Sequence, residues 1–426
     1  MYEQLKGKKL LIIGADSNDM EIVRTAQAMG IYVIAVDWST DHTKSPAKLI
    51  ADEAWDMNYR DLDALAERCV REHVDGIMAG YSETRVILAA QLSKRLGKPF
   101  YADENVVQLT RDKRTFKSLC EKYGVPVPRE FCANGTLTEE DLRNVRYPVI
   151  VKPADYGGRF GITVCGSEAE LTAAVEKALA SSENKTVVVE EFVTGIEMCS
   201  IYNMSDGEVV LAFVDDKYQM EQNGKLTLLC NTTVAPSRYL QEYKATIDPH
   251  IKAFLKGIGA KNGVAFFQMI AGEDGIRVFE MGYRLNGGND QHSIEYYNGV
   301  NHMKMLISYS LTGSMGDDIQ KNDPDFGEYA AVYLTYTHGG TIGKIGIATK
   351  EGEDGVLAIT QKVFQGMEIR ENGTTQQEAF VVKFRAKTLE EVARKMDEIA
   401  DSVTIENVAG EDMRFERFDT GRLFEK

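Results

Sequence analysis

The 426-residue chain is 43% hydrophobic and 27% charged, which suits a globular protein with enough core for two or three packed units. Its 49 Lys and Arg against 65 Asp and Glu leave a formal charge of −16, which argues against a nucleic-acid binder with a basic face, although a few local cations can still hold phosphates. The sequence carries no signal-peptide core or run of transmembrane length, and Cys69, Cys120, Cys132, Cys165, Cys199 and Cys230 form no CxxC pair, so neither zinc nor a disulfide framework is expected and the setting reads as cytoplasmic.

Residues 1–105 alternate strand and helix. The apolar run Leu10–Ile13 ends at Gly14, and Met20, Val23, Ala26 and Met29 follow at helical spacing. A second strand, Tyr32–Val36, precedes a helix with Leu62, Leu65, Ala66, Cys69 and Val70 on one face. The strand Gly76–Ala79 then leads through Glu83 into a helix reaching Leu96. This alternation predicts a parallel α/β half-fold, whose ligands bind beyond the carboxyl ends of the strands. A dinucleotide reading is weak, because Gly14 is followed by Ala15-Asp16-Ser17-Asn18 and the other fingerprint glycines are missing; Asp37 then reads as a strand-end acid.

From 106 to 315 the pattern changes to strands separated by glycine-rich loops. After a linker at Ser314–Gly327, residues 326–426 form a strand-rich α+β unit. Its strands are expected at Tyr329–Tyr336, Gly355–Val363 and Ala379–Ala386, before an amphipathic helix with Leu389, Val392, Ala393, Met396 and Ile399 facing inward.

Five segments carry candidate chemistry. Lys113 opens a helix whose face is Phe116, Leu119, Cys120 and Tyr123; a lysine there is not explained by the helix dipole, though alone it reads as a solvated surface residue. The strand Val149–Lys152 ends in a lysine directly before a loop containing Gly157, Gly158 and Gly161. Such glycines let backbone N–H groups approach phosphates, and Lys152 adds a point charge; no Walker sequence is present. The third segment is an apolar strand running into Glu190 and Glu191, then Val193 and Glu197, which suits an adenine edge and ribose as well as it suits a solvated strand end. The fourth and fifth, Val264–Ile270 and Arg277–Gly288, read as a hairpin that brings Gln268 beside Glu280, two oxygen ligands fit for Mg²⁺. Arg284 could clamp a carboxylate or acyl phosphate, or pair structurally with Glu280.

This ordered set resembles the ATP-grasp superfamily, in the style of its carbamoyl-phosphate synthetase and L-amino-acid ligase branches, over most of residues 1–315. The resemblance implies a central ATP-grasp domain between the N-terminal half-fold and the C-terminal unit. It implies that Lys113, Lys152 and the glycine loop hold the phosphates of ATP, that Glu190, Glu191 and Val193 line the adenine pocket, and that Glu197 meets the ribose. Gln268 and Glu280 would hold Mg²⁺, or Mn²⁺ in its place. One departure stands out: where the family reads Glu-x-Asn-x-Arg, this chain has Gly282, so Asn286 or water must supply the missing oxygen.

The implied reaction is a carboxylate–amine ligation through an acyl phosphate, releasing ADP and phosphate, with Lys152 and Arg284 as the catalytic candidates. Glu83, Asn289 and His292 are candidate substrate contacts, each with an ordinary structural explanation beside it. Small-molecule carboxylate and nucleophile substrates are expected, with no membrane or nucleic-acid partner and room for a homo-oligomer. The alternatives are a bicarbonate-using carboxylase of the same fold, and a nucleotide-binding protein with degenerate catalysis.

Overall fold

The computed structural model describes residues 2–132, 138, 143–153, 162–182, 185–222, 225–288, 290–316 and 319–425. Nineteen strands in four sheets are arranged among them. In the first, β1 (Lys9–Ile13) lies between β2 (Tyr32–Asp37) and β4 (Gly76–Met78), with β3 (Glu53–Asp56) at the edge, all in parallel register. Leu10 to Ile13 are fully buried, as expected for a strand covered by helices on both faces. The parallel half-fold is therefore present. Its edge strand β3 was not anticipated, because four residues reading Glu-Ala-Trp-Asp carry no apolar run.

The turn after β1 explains why the dinucleotide fingerprint is missing. Gly14 has φ +105°, and a Cβ there would lie 1.7 Å from Arg85 Nη1. The space beside this turn is filled by the Arg85 side chain, which binds Asp19 at 2.5 Å and Asp16 at 2.7 Å.

A second, antiparallel sheet has the order β5 (Glu130–Cys132), β8 (Val187–Glu191), β6 (Val149–Pro153) and β7 (Thr163–Cys165). Its apolar face packs on the helix Glu168–Ser181 through Leu171, Ala174 and Ala178, forming a small core of its own.

The third sheet has eight strands, in the order β13 (Gly275–Gly282), β12 (Gly263–Gly272), β9 (Ile196–Ser205), β10 (Glu208–Gln222), β11 (Lys225–Ala235), β14 (Tyr329–Tyr336), β18 (Glu378–Ala386) and β16 (Val356–Gln361). Three strands beyond residue 326, β14, β18 and β16, thus continue the central sheet through the β11–β14 pairing. A three-stranded sheet completes the chain: β17 (Glu368–Ile369), β15 (Gly340–Ile347) and β19 (Val403–Asn407). β15 and β19 escaped sequence reading because β15 is interrupted by Gly340, Gly343 and Gly346, and β19 follows the amphipathic helix Leu389–Ser402 directly. Among the described residues, no helix is long and apolar enough to cross a membrane.

Candidate active site

The first half of the site forms where the helix Lys113–Lys122 meets the second sheet. Asp112 caps that helix, its carboxylate accepting from Thr115 N at 2.8 Å, which fixes the direction of the first turn. Lys113 Nζ donates to Pro153 O at 3.3 Å, so the helix start and the end of β6 converge. One turn further on, Lys117 Nζ sits 2.7 Å from Glu190 Oε1 and 3.3 Å from Glu130. Lys152 pairs with the other oxygen of Glu190. Burial pushes the Glu190 carboxyl up, but Lys152 and Lys117 outweigh it and hold the group below its ordinary range. Lys113, Lys117, Lys152 and Glu190 line one small cavity together with Phe116 and Val278.

Glu190 is therefore engaged by two lysines rather than free for an adenine amino group. The pairing with Lys117 was missed; its only sequence signal was the four-residue step from Lys113, which places both on one helical face. Glu191 pairs with the backbone of Arg129 on both sides, donating its N–H at 2.8 Å and accepting at 3.3 Å. Val193 follows β8, its Cγ1 3.3 Å from where a Cβ on Gly272 would lie. Gly157, Gly158 and Gly161 lie outside the described residues, as does Asn289.

The second half is laid out by strand register on one face of the large sheet. Gln268 on β12 is the direct cross-strand partner of Glu280 on β13, as the hairpin predicted. The same row continues through Cys199 on β9 to Asp215 on β10. Two residues along, a parallel row pairs Glu197 with Lys217. Glu197 accepts from Lys217 Nζ at 2.7 Å and from Gln219 Nε2 at 3.2 Å. Asp215 and Lys217 were not singled out from sequence. A period-two polar pattern in a strand that also carries Asp216 and Tyr218 hides which face is inward, and only the register decides. Burial, with Asp290 nearby, pushes the Asp215 carboxyl well above its ordinary range, against the pull of Lys217.

Asn286 reaches this row from the loop after β13. Its Nδ2 donates to Asp290 Oδ2 at 2.9 Å and approaches Cys199 Sγ at 3.6 Å. Among the described residues, no group of three or more His, Cys, Asp or Glu side chains forms a metal cage. Gln268, Glu280 and Asn286 carry oxygens of the kind a hard cation takes beside phosphates and water.

Gly282 has a steric cause. It lies opposite Phe266, and a Cβ on it would fall 2.4 Å from that ring. The ring in turn carries the Arg284 guanidinium, 5.0 Å from its centroid. Gly282→Asn is thus expected to destabilise the chain by about 1–3 kcal/mol through overpacking without tightening metal binding. Urea midpoints would check it, and an asparagine variant as stable as the parent would refute the steric account.

The third group lies where the first sheet's carboxyl ends meet this loop. Arg284 Nε binds Glu83 Oε1 at 2.5 Å, so the arginine pairs across to the N-terminal unit and not with Glu280. His292 Nε2 lies 2.7 Å from Glu21 Oε1. Burial pushes Glu21 up, but the His292 contact outweighs it and lowers the carboxyl. Glu83, Arg284 and His292, separated by up to 209 positions in sequence, are each held by a bond between the two units.

The chain is similar to known proteins in sequence and in fold. Residues 123–225 match the family model of the D-ala D-ala ligase C-terminus. The formate-dependent phosphoribosylglycinamide formyltransferase of Ignicoccus hospitalis is 27% identical over 190 residues, 44% of this chain and 46% of that protein. The chain thus aligns with about half the length of that relative. The L-amino acid ligase from Bacillus licheniformis superposes with a TM-score of 0.75 at 19% identity, covering 94% of this chain and 99% of that one. The resemblance to the ATP-grasp superfamily is thus shared by the matched family model, the relative in sequence and the fold. A further ATP-grasp structure, the biotin carboxylase domain of Hydrogenobacter thermophilus 2-oxoglutarate carboxylase with MgADP and bicarbonate, gives a TM-score of 0.77 at 18% identity over 94% of this chain and 90% of that one.

Proposed function

We propose that this ATP-grasp protein is an ATP- and Mg²⁺-dependent carboxylate–amine ligase. The observation that carries the reading is the single sheet face on which Gln268 and Glu280 stand side by side, with Glu197–Lys217 in the next row and Arg284–Glu83 at its end. Lys113 and Lys152 hold the nucleotide phosphates at one side. Glu191 and Val193 flank the base, and Glu197, anchored by Lys217, faces the ribose. Mg²⁺ held by Gln268, Glu280 and Asn286 supplies charge neutralisation at the phosphate oxygens.

In this scheme a carboxylate oxygen attacks the γ-phosphorus, the bond to the β,γ-bridging oxygen breaks, and ADP leaves with that electron pair. Arg284 holds the resulting acyl phosphate by parallel hydrogen bonds. An amine nitrogen then attacks the acyl carbon, phosphate departs with the C–O electron pair, and the amine proton passes to phosphate or water. Such chemistry asks for positioning and electrostatics, which lysines and an arginine provide without a dedicated base. Glu83 and His292 border the acceptor side.

The test is a screen of ADP release against pairs of carboxylates and amines, with mass detection of the product. A condensed product with stoichiometric ADP is expected. The resemblance to a bicarbonate-bound carboxylase domain favours a second reading, and ADP release stimulated by bicarbonate without any amine would select it. ATP binding without turnover on any pair would defeat both.

A further inference from the structure

The row that holds Glu197 and Lys217 does not stop at the central strands. Register carries it from Lys217 through Thr233 on β11 and Val332 on β14 to Lys383 on β18. At strand spacing, Lys383 stands about 14 Å from Lys217 along the same face, too far to share one ligand group with it. Its neighbours Val382 and Phe384 point the other way, into the C-terminal core. Arg385, two residues on and on the same face as Lys383, lies over the ring of Tyr296 at 5.3 Å. This face of β18 therefore packs against the helix Gln291–Asn298, which begins directly after the acceptor loop.

Lys383 is fully buried, and among the described residues its Nζ has no hydrogen-bond partner. An ammonium in that position is costly, and native proteins leave one there only where something else completes it. Burial lowers its pKa to about 8, while Glu21, Asp290 and Glu351 attract the ammonium and Lys362 repels it. Glu21 is already bonded to His292, and Asp290 to Asn286. A second orphan stands at the start of the helix that packs against this strand: Gln291, buried, has an unpartnered Nε2. Two buried donors without acceptors call for an anion with several lone pairs.

We propose that Lys383, with Gln291, forms an anion subsite in which the C-terminal sheet holds a carboxylate of the acceptor-side substrate. The inference rests on the ligase reading for its location. It adds that one substrate carries a carboxylate recognised about 14 Å from the nucleotide-side lysine, Lys217. That group is either the carboxylate to be activated or one borne by the amine.

The experiment is a thermal-shift titration of the full chain, first with MgADP and then with MgADP plus a panel of probes: the twenty amino acids, succinate, and their primary amides. Wild type is expected to gain a further rise of about 2 °C or more with at least one free carboxylate and not with its amide. Lys383→Met should lose that rise while keeping the MgADP shift, and should itself melt no lower than wild type, since it removes an unpaired buried charge. Lys383→Gln, which keeps donors without charge, should weaken the rise at least 10-fold in half-saturating concentration, and it decides the matter should the methionine variant not fold.

Incubation with MgATP in place of MgADP, followed by trapping with hydroxylamine, separates the two sources. A stabilising carboxylate that yields a hydroxamate is the activated acid, and one that does not is the carboxylate of the amine; either supports the subsite. An equal carboxylate rise in both variants, or none in wild type beside an intact MgADP shift, overturns it. Loss of the MgADP shift in wild type would count against the nucleotide reading alone, with the carboxylate comparison still deciding the subsite.

Discussion

Replacing Lys152 with alanine is expected to lower ATP-dependent phosphate release by about 100- to 1,000-fold, the usual effect of removing one fixed donor from a charge-stabilising site. Lys152 stands one residue before the end of β6, where Lys113 reaches Pro153 O, so its ammonium is held beside the cavity proposed for the phosphates. The obvious objection is that Lys152 is structural, since it pairs with the buried Glu190. Breaking an isolated buried pair costs about 3–5 kcal/mol because it strands a charge. Here Glu190 keeps Lys117 at 2.7 Å, so the stranding is only partial and the loss should be nearer 1–3 kcal/mol. The two roles separate experimentally. Lys152→Ala should lose phosphate release while a melting curve still shows a cooperative fold, whereas Lys117→Ala should lose stability to a similar degree with a much smaller effect on release. Unimpaired release from a folded Lys152→Ala protein would remove Lys152 from the site.

The parts of this architecture legible in the sequence were those written in local pattern. The β-α-β alternation before residue 105 was visible because β1, β2 and β4 are short apolar runs covered on both faces. The Gln268–Glu280 pairing was visible because a tight turn at Gly272–Gly275 fixes the register of its two strands. What stayed hidden depends on long-range pairing. Lys217 and Asp215 acquire meaning only once β10 is registered against β9, and Lys383 only once β14 and β18 are added to the same sheet. Glu190 was read as a nucleotide contact because its partner Lys117 lies 73 positions away on a helix from another segment. The Arg284–Glu83 bond, across 201 positions, has the same character. Gly282 illustrates the converse. In sequence it reads as a missing ligand, while in space it is the position at which the Phe266 ring leaves no room for a side chain.

Glu280→Gln should raise the Mg²⁺ concentration needed for half-maximal ADP release by about 10-fold or more, since a neutral amide replaces a charged oxygen ligand. The substitution is nearly isosteric and Glu280 is exposed at the edge strand β13, so stability should change by no more than about 0.5 kcal/mol. Among the described residues Glu280 makes no ion pair, which leaves the lost charge with no structural role to confound the result. The effect should be large for a reason particular to this chain. With Gly282 unable to contribute an oxygen and Gln268 already neutral, Glu280 is the anionic ligand of the proposed Gln268–Glu280–Asn286 set. Removing it leaves three neutral amides, a set with little hold on a cation that sheds its water reluctantly. Mn²⁺, which dehydrates more easily and tolerates nitrogen and mixed ligands, should restore part of the activity at concentrations where Mg²⁺ does not. A Mg²⁺ dependence identical to that of the parent would exclude Glu280 as a ligand and shift the search for the metal to Asp215 and Asp290, the buried acids that share its sheet face and loop.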